Sequence, residues 1–146
     1  MRRASILTGE IDPATLINEV GSPQCGAISV FIGTVREVNE GRAVSGIEYS
    51  AYKSMATEEL ERILDEAETR FGISGLVVEH RIGLLGLGDV SVVIATAHAH
   101  RAPALDCTRY VIEEIKKRVP IWKKEHYVDG SREWVDPTRA AEATSA

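Results

Sequence analysis

The sequence predicts an α+β domain in which helices pack on a largely antiparallel sheet. Three observations lead there. Two long segments carry apolar residues at helical spacing, short β-branched segments lie between them, and the order reads α-ββ-α-ββ-α-ββ. A length of 146 residues suits one domain. Hydrophobic residues at 44% and charged residues at 27% exclude a disordered or fibrous chain. Residues 1–135 are read as a single catalytic domain, and 136–146, rich in Ala, Thr and Ser, as a flexible C-terminal tail.

Asp12-Pro13 has the form of an N-cap followed by proline at the first helical position, and Gly21-Ser22-Pro23 stops that short helix near Val20. Cys25 to Val35 is apolar and β-branched, which indicates a buried strand. Asn39-Glu40-Gly41-Arg42 is a turn, and Val44 to Tyr52 alternates as the next strand. From Met55 to Phe71 the apolar positions Ala56, Leu60, Ile63, Leu64, Ala67 and Phe71 form one face of a helix, with a solvated acidic face opposite. Leu76 to Ile82 is a strand. Gly83, Gly86 and Gly88 read as a loop, and Val90 to Ala97, apolar throughout, as a central strand. The second long helix runs from Pro103 to Arg118 and ends at Pro120. Ile121 to Val128, the Asp129-Gly130 turn and Glu133 to Val135 close the chain as a hairpin.

The formal net charge of −5 argues against a general nucleic-acid binder or a polybasic membrane anchor. No apolar run reaches the roughly 20 residues that span a bilayer, so a cytoplasmic protein is expected. Cys25 and Cys107 lack metal or redox spacing and are read as small core residues. No G-x-S-x-G elbow supports a serine hydrolase. His98 and His100 share one face of a strand end, a spacing that suits a metal, but Arg101 beside them disfavours a cation and favours an anionic pocket. His80 reads as a structural, hydrogen-bonded histidine.

Charge is unevenly placed. Between His98 and Glu125 seven cations face four acids, so this stretch is +3 and the rest of the chain −8. Lys116 flanks the apolar stripe of its helix, whereas Lys117 and Arg118 point more toward water. Beyond Pro120, Lys123 and Lys124 alternate across a strand, so one of them faces back toward Lys116. Converging lysines lower each other's pKa, and a lysine so tuned serves as base, acid or nucleophile. An ordinary solvated helix end, where cations favour the dipole, explains the same spacing.

The residues also carry a family pattern. Gly26-Ala27-Ile28-Ser29-Val30-Phe31-Ile32-Gly33-Thr34-Val35-Arg36, Tyr49-Ser50-Ala51-Tyr52-Lys53-Ser54-Met55-Ala56, His80-Arg81-Ile82-Gly83, His100-Arg101 and Val119-Pro120-Ile121-Trp122-Lys123-Lys124-Glu125 occur in order over most of the chain. Together they resemble the large, catalytic subunit of molybdopterin synthase. The resemblance implies an α/β hammerhead-like fold and a sulfur transferase that converts cyclic pyranopterin monophosphate to molybdopterin. It implies that two dithiolene sulfurs arrive as a thiocarboxylate on the C-terminal Gly-Gly of a small ubiquitin-like partner, and that the large subunit is a homodimer within a heterotetramer. No cofactor and no metal are expected, and because the sulfur is imported no catalytic cysteine is needed.

By the same resemblance Lys116 and Lys123 are the catalytic lysines. Thr34, Val35, Arg36, His100, Arg101, Lys124 and Glu125 join them in binding substrate. Arg132 or Arg139 would reach a neighbouring subunit. Leu105, where the family has an aromatic residue, and Pro103, which alters the helix start, depart from the pattern. Two other readings compete with this one. A non-catalytic module would bind only the ubiquitin-like partner or a phosphorylated ligand, and a metal enzyme would be built on His98 and His100. Retention of Lys116, Lys123 and Arg36 together favours the enzyme.

Overall fold

The computed structural model describes residues 1–135. The tail expected at 136–146, and Arg139 within it, lie outside the described residues. The chain runs β1 (Arg2–Leu7), α1 (Pro13–Val20), β2 (Ala27–Thr34), β3 (Val38–Asn39), β4 (Arg42–Ala51), α2 (Lys53–Phe71), β5 (Gly75–Arg81), β6 (Gly83–Gly86), β7 (Val90–His98), α3 (Arg101–Arg118), β8 (Ile121–Tyr127) and β9 (Arg132–Val135). The α+β class is as expected. The strands divide into two sheets, one ordered β1-β5-β7-β2 and the other β3-β4-β8-β9 with β6 also on β4.

In the first sheet the central strands are apolar on both faces because both faces are covered. Val77, Val93, Ala95 and Ala97 pack with Leu16 and Val20 of α1. Leu76, Val78, Val92 and Ile94 point the other way, into a larger core with Leu60, Ile63 and Leu64 of α2 and Val111 and Ile115 of α3. Ile47, Tyr49 and Tyr127 of the second sheet belong to that same core. Leu60 and Ile63 are wholly buried, so truncating either to Ala is expected to cost ~2–5 kcal/mol. The core that joins both sheets to α2 and α3 is what brings the ends of β2, β4, β8 and α3 together.

Helix ends follow local chemistry. The Asp12 side chain accepts from the Ala14 N–H at 3.1 Å, as a capping aspartate should. Gly72 closes α2 in the left-handed conformation. Glu40 and Gly41 both have positive φ, 50° and 77°, which turns β3 into β4.

Several local expectations need correction. Strand β1 was not foreseen: it is short, opens with two arginines, and is held in place by a parallel ladder to β5 and by Arg3 bonding Glu19 and Glu79. The Gly83 segment is not wholly a loop, because Gly83–Gly86 pairs with β4. That pairing needs Gly46, where a Cβ would stand 2.7 Å from the Leu85 carbonyl oxygen. Both long helices start two residues early, at Lys53 and Arg101. Pro103 therefore lies in the first turn of α3, where its missing N–H costs little. Cys107 is a core residue, its thiol pushed up to about 12 by burial. Cys25 is only half-buried and sits between the Ser22 and Ser74 hydroxyls, which hold its pKa down. Among the described residues no helix is long and apolar enough to cross a membrane.

Candidate active site

Between the two sheets, at the C-terminal end of α3, lies a cleft of about 290 Å3. Its lining includes Thr34, Arg36, Tyr49, Lys116, Lys123 and Glu125. Each arrives by a different local rule.

Lys116 comes from the last turn of α3, one position past buried Ile115, so it emerges beside the core. Arg118 points outward and bonds Glu59, Glu66 and Glu114, and Lys117 reaches Glu114 at 3.6 Å. Lys116 forms no ion pair among the described residues. Its pKa falls from 10.5 to about 8, chiefly through burial, then through the charges of Lys123 and Arg36.

Strand β8 alternates. Ile121, Glu125 and Tyr127 are buried, so Lys123 on the same parity faces the cleft, and Trp122, Lys124 and His126 face the other side. The choice between Lys123 and Lys124 thus falls to Lys123. Lys124 lies over the Trp134 ring, 5.1 Å from its centroid. Glu125 is 2% exposed, with Oε1 3.5 Å from Lys123 Nζ and Oε2 without a hydrogen-bond partner. A buried carboxylate with an unsatisfied oxygen is costly, and Lys123 supplies its only ion pair among the described residues.

At the end of β2 the ladder to β7 slips between Gly33 and Thr34. Val35 is then anchored to the next turn: its N–H donates to the Asp89 carbonyl at 3.0 Å, and its own carbonyl accepts from Gly88 N–H at 2.8 Å. Val35 is buried and does not line the cleft, but this anchoring fixes where Arg36 leaves the sheet.

His100 and Arg101 do not reach this cleft. They stand at the start of α3, past His98, which pairs with Ala27 at the other end of β2. Seven residues of strand separate that end from Thr34, roughly 23 Å at the usual rise. His98 Nδ1 accepts from the His100 N–H at 2.9 Å. Among the described residues no group of three or more His, Cys, Asp or Glu side chains gathers as a metal site.

Sequence reasoning missed Tyr49 and Ser91 as cleft residues. Alternation in β4 shows that Ile47 and Tyr49 share a face, but their register opposite Glu125 and Lys123 is a long-range pairing with no local signal. His80 is the structural histidine expected. It is buried, its Nδ1–H donates to the Arg81 carbonyl at 2.9 Å, and burial lowers its pKa to about 4.

Comparison with known proteins agrees with this architecture. The family model described as MoaE protein matches residues 6–118. The molybdopterin synthase catalytic subunit of Thermoplasma volcanium is 45% identical over 125 residues, covering 86% of this chain and 91% of that protein. The crystal structure of molybdopterin synthase from Staphylococcus aureus superposes with a TM-score of 0.85 at 36% identity, covering 90% of this chain and 96% of that one. A chain in the complex of subunits 1 and 2 of molybdopterin-converting factor from Helicobacter pylori shares the fold, with a TM-score of 0.74 at 24% identity over 91% of this chain and 90% of its own. This chain therefore belongs to the MoaE family, the catalytic subunits of molybdopterin synthase.

Proposed function

We propose that this chain converts cyclic pyranopterin monophosphate to molybdopterin by installing two dithiolene sulfurs. The sulfur arrives as a thiocarboxylate at the C-terminal Gly-Gly of a small ubiquitin-like subunit. The observation that carries the reading is the cleft itself. Arg36, Lys116 and Lys123 converge there on a chain of net charge −5. One of the three is a lysine brought near neutrality by burial. A phosphate ester and an anionic tail both fit such a site.

In this reading Lys116 exchanges a proton with the reacting acyl centre, which a pKa of about 8 permits at working pH. Lys123, paired with Glu125, faces the substrate anion. Arg36 takes the phosphate at the mouth, with Thr34 beside it. His100, Arg101 and Lys124 meet the substrate only if a second copy presents them, which suits a homodimer within a heterotetramer. The sulfur is carried in by the partner, so neither cysteine takes part and no metal or cofactor is required.

Reconstitution tests the reading. The chain is mixed with its thiocarboxylated small partner and the pyranopterin precursor, and dithiolene product is assayed. Product formation that depends on the thiocarboxylate is expected. Absence of product with competent partner and substrate rejects the reading in favour of a module that only binds.

A further inference from the structure

We infer that Tyr49 is a further catalytic residue of this cleft, its phenol donating a hydrogen bond to the acyl oxygen of the bound thiocarboxylate tail. The inference rests on the sulfur-transfer reading above. Three features of the structure carry it.

The first is placement. Tyr49 lines the cleft together with Lys116 and Lys123. In the β4–β8 ladder it lies directly opposite Lys123, and opposed residues on one face stand about 5 Å apart at Cβ. On the other edge of β4 it pairs with Gly83 of β6. Its backbone is thus fixed from both sides.

The second is support. His80 reaches across from the first sheet and meets the Tyr49 ring edge-on, centroids 5.3 Å apart at 76°. The imidazole is fixed in turn by its bond to the Arg81 carbonyl. A ring clamped between two sheets holds its hydroxyl in one place, the preorganisation that transition-state donors need.

The third is the direction of the proton. Burial raises the pKa of Tyr49, the Ser91 hydroxyl beside it lowers it, and the Glu125 carboxylate raises it again, for a net rise. The phenol therefore keeps its proton. The Ser91 hydroxyl donates to the Gly33 carbonyl at 3.2 Å. The retained phenol hydrogen is available to an acceptor that enters the cleft. Lys123 and Arg36 attract an anionic tail but act as diffuse charge. Tyr49 adds a neutral, oriented donor.

The chemistry places demand on such a donor. Once the tail's sulfur has replaced an oxygen substituent on a substrate carbon, water adds to the acyl carbon: a carbon–oxygen bond forms and the carbonyl electron pair moves onto oxygen. The pair returns as the acyl carbon–sulfur bond breaks; the sulfur stays on the substrate as a thiolate with the bonding electrons, and the tail is left as a carboxylate. A proton released by the water passes to the Lys116 amine. The oxygen is most negative between these events, and a donor aimed at it accelerates both.

Tyr49→Phe tests the assignment, because the ring against His80 is kept and only the hydroxyl is lost. The chain is assembled with its thiocarboxylated partner, and turnover is measured below the melting transition of the variant. A fall in kcat of about 10- to 100-fold is expected, with little change in melting temperature. A kcat within about twofold of the parent chain overturns the inference. If the parent chain itself yields no dithiolene, the sulfur-transfer reading fails separately, and the tyrosine is judged by binding. A partner ending in an ordinary carboxylate should then bind Tyr49→Phe at least threefold more weakly, and equal binding overturns the assignment.

Discussion

Lys116 and Arg118 stand two residues apart in the last turn of α3, yet the structure treats them oppositely. Arg118 turns outward among Glu66, Glu59 and Glu114, whose hydrogen bonds raise its pKa. Lys116 turns inward, loses water, feels the charges of Lys123 and Arg36, and drops to about 8. A helix of 3.6 residues per turn separates the two directions by about 200°. Neighbouring cations in sequence can therefore serve different ends. One ties α3 to α2, and the other is held weakly basic inside the cleft.

The contrast can be broken from either side. The largest effect is expected from Lys116→Ala, with turnover falling about 10³-fold while the small partner still binds, measured by steady-state kinetics and calorimetry on the complex. Turnover near that of the parent chain would remove Lys116 from the mechanism. Next, Arg36→Ala should raise KM for the phosphorylated substrate by about 10- to 100-fold with a smaller change in kcat, because a positioning charge at the mouth is lost. An unchanged KM would place the phosphate elsewhere.

A stability effect of opposite sign follows. The lowered pKa of Lys116 means that below pH 8 the folded chain holds a charged amine it disfavours. The unfolded chain keeps that proton up to about pH 10.5. Stability from this group is therefore lowest below pH 8, rises between pH 8 and 10.5, and is level above. Lys116→Met should stabilise the inactive protein by ~2–3 kcal/mol at pH 7, and the advantage should vanish above about pH 10.5. Melting curves at pH 7 and pH 10.5 decide this, and an advantage independent of pH would refute the burial account. The smallest effect is reserved for Arg118→Ala. Partly exposed ion pairs contribute ~1 kcal/mol, so stability should drop by about that much with turnover within twofold.

How much of this was readable in the sequence depends on range. The acidic face of α2, the Asp12 cap and the Asp129-Gly130 hairpin follow from residues a few positions apart, and all three formed. The Lys116–Lys123 convergence was half visible. Helical spacing put Lys116 beside the stripe, but parity in β8 could not be assigned before knowing that Ile121 and Glu125 face the core. Strand β1 and strand β6 were missed because paired arginines and glycine runs are poor strand signals. Both are stabilised by their partners β5 and β4. Tyr49 sits beside Lys123 through a ladder that joins residues 74 positions apart, and no window along the chain contains both.

The burial of one amine also makes Lys116 a chemical witness to folding. Near pH 8 about half of the native amines are uncharged, whereas an unfolded lysine, at an ordinary pKa near 10.4, offers roughly 100-fold less free base. Because Lys116 lines the cleft, a small amine-directed acylating label should mark it ahead of the surface lysines in the native protein. That preference should disappear on denaturation, when all lysines become alike. One buried amine would then report, by its own reactivity, whether the chain around it is assembled.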